Sequence, residues 1–164
     1  MRLIPLTNSN LHALVDDAQF YIQDLGSLLQ YNWFLDEYTG YATTRMKHNR
    51  CMRLHHMLFG PAGKGLEWDH INRNRLDCRQ QNLRESTHYQ NSWNKPKNKN
   101  NTSGFKGVWW SNCAGLWASA IRANDVRLFL GYFFTPVEAA LAYDKAAREL
   151  HGEFAFQNIK RFPR

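Results

Sequence analysis

Four side chains in the middle of the chain have the types and spacing for phosphodiester hydrolysis. Asp69 and His70 are adjacent, Asn82 follows twelve residues after His70, and Asn91 nine residues after that. Breaking a phosphodiester at neutral pH needs a water deprotonated beside the phosphorus and a cation to offset the charge that develops on oxygen. Histidine suits the first task because its ordinary pKa lies near working pH. A carboxylate and an amide oxygen suit one hard divalent ion, Mg²⁺ or Mn²⁺, which keeps several waters and takes few protein ligands. Asp69 at a strand end and Asn91 on the following helix are expected to reach that ion. His70, next along the strand, is expected to face the scissile phosphate. Asn82, on a partner strand, would accept from the imidazole N–H and fix its tautomer.

These roles require a strand, a polar loop, a second strand and a helix, and residues 66–94 read in that order. Residues 66–71 form a short apolar-alternating run, 72–79 are polar, 82–84 resume a strand, and Ser86 or Thr87 can cap a helix running through Asn91 to Asn94. Upstream, residues 11–15 read as a strand, 16–25 as a short helix, and 31–35 with 41–44 as a hairpin around 36–40. Residues 54–59 read as a helix stopped by Gly60-Pro61. On that helix the adjacent His55 and His56 diverge and cannot easily share an ion, so one is expected to pack and the other to meet a phosphate. His88, one turn before Asn91, is expected to be a solvated helix residue, with contact to the metal or a phosphate as the alternative.

The run NKPKNKNNTS at 94–103 holds no apolar residue and reads as an exposed linker between a module at 1–93 and another at 104–164. Its Lys95, Lys97 and Lys99 could track a phosphate backbone or merely keep the linker solvated. Beyond it, aromatic and β-branched runs at 105–110, 116–122 and 127–133 are separated by turn signals and predict a three-stranded antiparallel meander. Thr135-Pro136-Val137-Glu138 then supplies an N-cap, a proline at the first helical position and the acid of a capping box. Val137, Ala140, Leu141, Tyr143, Ala147 and Leu150 follow at helical spacing, and Gly152 ends the helix. Trp117 is expected to pack against that helix. The fold class is therefore α+β: a strand–loop–strand–helix module, followed by a small three-stranded antiparallel sheet with one packed helix.

Composition narrows the partners. A hydrophobic fraction of 43% supports a core, and the net charge of +7 is uneven, with −4 in residues 1–40 and +11 in the remainder. A basic body suggests a polyanion. Neither a signal peptide nor an eighteen-residue apolar run is present, so a cytoplasmic protein without membrane contact is expected. Cys51, Cys78 and Cys113 are odd in number and far apart, with no C-x-x-C pair. They read as free thiols, leaving oxygen and nitrogen to hold any metal.

The segment W-D-H-I-N-R-N-R-L-D-C-R-Q-Q-N-L-R, continued by T-x-x-Q-N, resembles the HNH endonuclease signature of phage and intron homing enzymes. The resemblance implies a ββα-metal site with His70 as general base, Asp69 and Asn91 as metal ligands, and Asn82 as the residue orienting His70. Asn91 stands where many members carry His, and Cys78 replaces a common Asn of the loop. Residues 104–154, through S-G-F-K-G-V, G-L-W-A-S-A-I-R, L-G-Y-F-x-T-x-x-E-A-A-x-A-Y-D-K-A-A and H-G-E-F-A, resemble the ethylene-response-factor (Apetala-type) DNA-binding domain of plants. That resemblance implies a sheet laid in the major groove of double-stranded DNA, with Lys106, Trp109, Ser111, Arg122, Arg127, Phe129 and Tyr132 facing the duplex. Trp109 and Ser111 stand where two arginines of the plant domains would be, so base preference does not carry over.

Together these readings predict a metal-dependent, site-preferring DNA endonuclease of the homing type. One ion per chain implies one strand cut per binding event, and a dimer or two nicks for a double-strand break. The rival reading is a DNA-binding transcription regulator with an inactive nuclease core. An RNA nuclease fits less well, because the deep and narrow major groove of RNA would not admit the sheet.

Overall fold

In the computed structural model, residues 1–22 and 26–159 are described, and contacts divide the chain into two units, Met1–His88 and Tyr89–Arg164. The architecture is α+β, as expected. Among the described residues no helix is long and apolar enough to cross a membrane.

The first unit is assembled from short antiparallel pairs. Strands β1 (Arg2–Pro5) and β2 (His12–Val15) pair with Ile4 opposite Ala13, and their alternation buries Ile4, Ala13 and Val15. The short helix expected at 16–25 is not formed. Asp16 caps a single 3₁₀ turn at Asp17–Gln19, and the chain then extends into β3 (Tyr21–Ile22), paired with β4 (Gly26–Ser27); residues 23–25 lie outside the described part. One turn is all that the capping carboxylate nucleates here, because Phe20 is drawn into the core immediately after it. The expected hairpin is present as β5 (Trp33–Leu35) and β6 (Ala42–Arg45), and β7 (Cys51–Arg53) adds a third strand. Trp33 is 1% exposed, and its indole N–H donates to the Leu28 carbonyl at 2.8 Å. Helix α1 (Leu54–Phe59) follows and stops at Gly60, whose φ of +75° suits glycine.

Strands β8 (Glu67–His70) and β9 (Leu83–Ser86) pair antiparallel with Asp69 opposite Arg84 and His70 opposite Leu83. The loop between them is tied to β2, because Leu14 N–H donates to the Leu76 carbonyl and Cys78 N–H to the Leu14 carbonyl. Leu76, Cys78 and Leu83 thereby join the core built on Ile4, Val15, Leu28, Trp33 and Leu54.

Helix α2 (His88–Asn94) crosses the division between units, which falls ahead of the polar run at 94–103. Its side chains explain why. The Tyr89 hydroxyl donates to Asp125 at 2.9 Å, and Trp93 stacks on His151 with centroids 4.3 Å apart. The Lys106 ammonium donates to the carbonyls of Ser92, Trp93 and Lys95. The second unit continues as the expected meander, β10 (Val108–Ser111), β11 (Leu116–Ala123) and β12 (Val126–Phe133), covered by α3 (Pro136–His151). Both hydrogen bonds of the Thr135–Glu138 capping box are made. The helix buries Ala139, Ala140, Tyr143, Asp144, Ala147 and His151, whereas Val137, Leu141 and Leu150 of the expected stripe stay exposed. Small alanines let the helix approach the sheet closely, and Trp117 packs there as expected. Gly107 marks the tightest approach: at φ +76°, an added Cβ would stand 2.3 Å from the Tyr143 ring.

Candidate active site

The β8–β9 ribbon brings Asp69, His70 and Asn82 together, all at most 5% exposed. The Asp69 carboxylate Oδ2 accepts from Arg84 Nε at 3.0 Å and Nη2 at 2.8 Å across the ribbon. Asn82 braces the loop that leads away from His70. Its Oδ1 accepts from Asn72 N–H at 2.9 Å, its Nδ2 donates to the Asp77 carbonyl at 2.7 Å, and its own carbonyl accepts from Ile71 N–H at 2.9 Å. These bonds tie Asn82, the last residue of a 3₁₀ turn ahead of β9, to the backbone on the C-terminal side of His70; its Oδ1, expected to accept from the imidazole, accepts here from Asn72 N–H. Asp77, which sequence reasoning passed over, is the other brace. It is 1% exposed and paired with Arg79 at 2.7 Å through both Nε and Nη2, and that hydrogen bonding holds its carboxyl below the usual range.

His70 sits in an aromatic and cationic cluster. Its ring centroid is 5.2 Å from that of His55 and 5.7 Å from that of Tyr41. The guanidinium groups of Arg53 and Arg75 lie over Tyr41 at 4.6 and 5.0 Å. Burial pushes the His70 pKa down to about 4, against the opposing pull of the Asp69 and Asp77 carboxylates. The imidazole is therefore neutral at pH 7 and able to take a proton. His55 is the packed member of the histidine pair, 2% exposed, and burial with the neighbouring His70 lowers its pKa to about 3. His56 is half-buried. His88 is exposed and pairs with Glu67 at 3.0 Å.

Two donor sets stand near one another. The hard set is the Asp69 carboxylate, whose oxygen chemistry fits Mg²⁺ or Mn²⁺. Asn91 is half-buried on α2, among the residues of the second unit. The second set was not foreseen. His55, His70 and Cys78, each buried, present ligand atoms within 4.8 Å of one another. The Cys78 thiol thus stands beside two imidazoles, where oxygen and nitrogen had been expected to hold any metal. Sulfur arrives because the loop threads Cys78 against β2 and α1, a placement that depends on tertiary packing and leaves no spacing signal.

In the second unit, the outer face of the sheet carries the residues expected to meet DNA. The register sets Trp109 and Tyr132 on either side of Ala118, Phe129 beside Ala120, and Arg122 directly opposite Arg127, with Ser111 at the strand end. Ala118 and Ala120 are covered by these larger neighbours. The Arg127 guanidinium lies 4.8 Å over the Trp109 ring, and Phe129 packs edge-on to Tyr132. Lys106 differs in kind, since its ammonium is held on the carbonyls at the end of α2. Lys95, Lys97 and Lys99 are exposed.

The sequence model of the HNH endonuclease family matches residues 47–93, which contain the whole ribbon and Asn91. Protein 3.8 of Escherichia phage T7 is 38% identical over 96 residues, 58% of this chain and 78% of that one. An uncharacterized HNH endonuclease of Acanthamoeba polyphaga mimivirus is 31% identical over 134 residues, 79% of this chain and 67% of that one. Dehydration-responsive element-binding protein 2E of Oryza sativa subsp. japonica is 53% identical over 47 residues, 27% of this chain and 15% of the plant protein. No solved structure matches the chain.

Proposed function

Because the chain belongs to the HNH endonuclease family, we propose that it is a metal-dependent endonuclease that cuts double-stranded DNA with site preference, as homing enzymes do. The observation that carries this reading is the buried Asp69–His70 pair at the end of β8, with the imidazole neutral at working pH. His70 takes the proton of the attacking water. Asp69 would hold one Mg²⁺ or Mn²⁺, and the family resemblance implies Asn91 as a further ligand. When bound, the ion supplies charge neutralisation at the phosphoryl and leaving oxygens. Asn82 and Asp77 keep the loop after His70 rigid, so the base does not have to be organised during the reaction. Arg53 and Arg75, gathered on Tyr41, provide positive charge for the scissile phosphate.

The C-terminal sheet holds the enzyme on its target in this reading. Its outer face combines Arg122 and Arg127 with Trp109, Phe129 and Tyr132, a mixture suited to phosphates and base edges. The similarity to a plant element-binding protein supports the same role. Plasmid nicking tests the whole reading. Mg²⁺ or Mn²⁺ should support cutting and EDTA should stop it. His70→Ala should lower single-turnover cleavage by roughly a hundredfold to ten-thousandfold while gel-shift affinity stays near that of the wild type. Full activity in EDTA, or a His70→Ala protein that cuts normally, would refute it.

A further inference from the structure

The geometry points to a second metal site in the first unit, in which His55, His70 and Cys78 bind a thiophilic divalent ion such as Zn²⁺ and thereby switch off cleavage. Three segments bring these ligands together: α1 carries His55, the end of β8 carries His70, and the loop tied to β2 carries Cys78. All three are at most 4% exposed, and their ligand atoms lie within 4.8 Å of one another. A tetrahedral zinc with Zn–N near 2.1 Å and Zn–S near 2.3 Å needs ligand atoms roughly 3.5 Å apart, so the cage closes by a contraction of about 1 Å. Rotation about the torsions of the three side chains is the movement that binding requires.

The donor set decides which ion enters. Two imidazole nitrogens and a thiolate favour zinc, cadmium or cobalt over Mg²⁺, whereas the Asp69 carboxylate favours Mg²⁺. The two sites therefore take different ions. On binding, the Cys78 thiol gives its proton to solvent and the sulfur becomes a thiolate ligand; no electron is transferred. Asp69 and Asp77 favour positive charge at His70 while Arg75 opposes it, so the selection of the ion falls to the donor atoms. The fourth position is left for water, as in sites with three protein ligands.

The consequence for cleavage rests on the reading of His70 as the base. A ring nitrogen that holds a metal cannot accept a proton, so zinc occupancy and catalysis exclude each other. The ion should inhibit without displacing Mg²⁺ and without releasing DNA.

Cadmium titration of the full chain tests the site independently of activity. In protein carrying Cys51→Ser and Cys113→Ser, which removes the two exposed thiols, one equivalent of Cd²⁺ should raise a sulfur-to-cadmium charge-transfer band. Cys78→Ala should abolish that band, and His55→Gln should weaken binding at least tenfold with the cysteine still present. Zn²⁺ added at fixed Mg²⁺ should lower nicking by roughly a hundredfold, the scale expected when a general base is withheld. Cys78→Ala should escape this inhibition, each protein being referred to its own zinc-free rate. Absence of the band in protein with Cys78 intact overturns the site. A band accompanied by unchanged nicking in Zn²⁺ overturns the switch. Failure to nick under any metal would overturn the nuclease reading and leave the spectroscopic result to judge the site alone.

Discussion

Replacing Arg84 by Met should destabilise the first unit through charge, and the ribbon geometry gives the size of the effect. The Asp69 and Arg84 side chains are 5% and 13% exposed, and two N–H groups of the guanidinium fall on one carboxylate oxygen. Met keeps much of the aliphatic volume while removing the cation. Deleting one partner of a buried pair costs ~3–5 kcal/mol, because the remaining charge loses its compensation away from water. Arg84 keeps a solvated edge, which places the expectation near the lower figure, about 3 kcal/mol. At 1.36 kcal/mol per factor of ten, that is about two orders of magnitude in the opening equilibrium. Native-state hydrogen exchange reads this segment by segment, which matters for a chain of two units. In EDTA, amides of β6, β8 and β9 should lose about two orders of magnitude in protection, and amides of β11 and α3 should not change. Adding Asp69→Asn to Arg84→Met should recover protection, since the carboxylate is then neutral. Millimolar Mg²⁺ should also recover it in the single variant, by returning positive charge to Asp69. Protection equal to the wild type in Arg84→Met would refute the reasoning. A double variant no better than the single one would show that packing, and not charge, was lost.

Acid should weaken the first unit well above the carboxylate range. His55 and His70 are held neutral by burial, with pKa values of about 3 and about 4 against an ordinary 6.5. The unfolded chain binds their protons first, so stability is intact above pH 6.5 and falls as pH drops toward 4, by up to about 1.4 kcal/mol per pH unit for each histidine. Urea midpoints at pH 7.5 and pH 5 check this, and equal midpoints would contradict it. On the sheet, replacing both Arg122 and Arg127 by Gln should reduce the slope of log affinity against log salt by about two, one for each lost phosphate contact. Stability should hold or rise, because like charges directly opposite each other repel. An unchanged salt slope in gel shifts would remove these arginines from the interface.

The C-terminal unit was legible because its signals are local. Period-two alternation, turn residues and a capping box are each written within a few positions, and the strands and the helix start follow them. The inner stripe of α3 was harder to read, since shape matters as much as hydrophobicity: alanines that fit against the sheet displaced Val137, Leu141 and Leu150 to the surface. In the first unit, elements of two to four residues carry too little periodicity to identify. β1, β7 and the 3₁₀ turn at Asp17–Gln19 are all of that length. Asp69 and His70 could be found because strand, loop and strand lie within one short segment. Arg84 was within reach too, as the cross-strand neighbour of a buried acid. The nearness of Tyr41, Arg53, His55 and Cys78 to His70 could not be read, because only the packing of β6, β7, α1 and the loop tied to β2 brings them there.

That packing has two consequences for the same imidazole. Removing water from His70 holds it neutral, the state a base needs, and this follows from its position between α1 and the loop that Asn82 and Asp77 brace. The same position sets it beside a second imidazole and a thiol, which are the ligands that bind soft metals well. A base more open to water would have had a pKa nearer its ordinary value; a base buried among aliphatic side chains would have stayed neutral with no sulfur in reach. The chain has neither arrangement. On the reading proposed for the site, the environment that prepares His70 to take a proton also makes it a metal ligand, and the balance between hard and soft ions sets which role it performs.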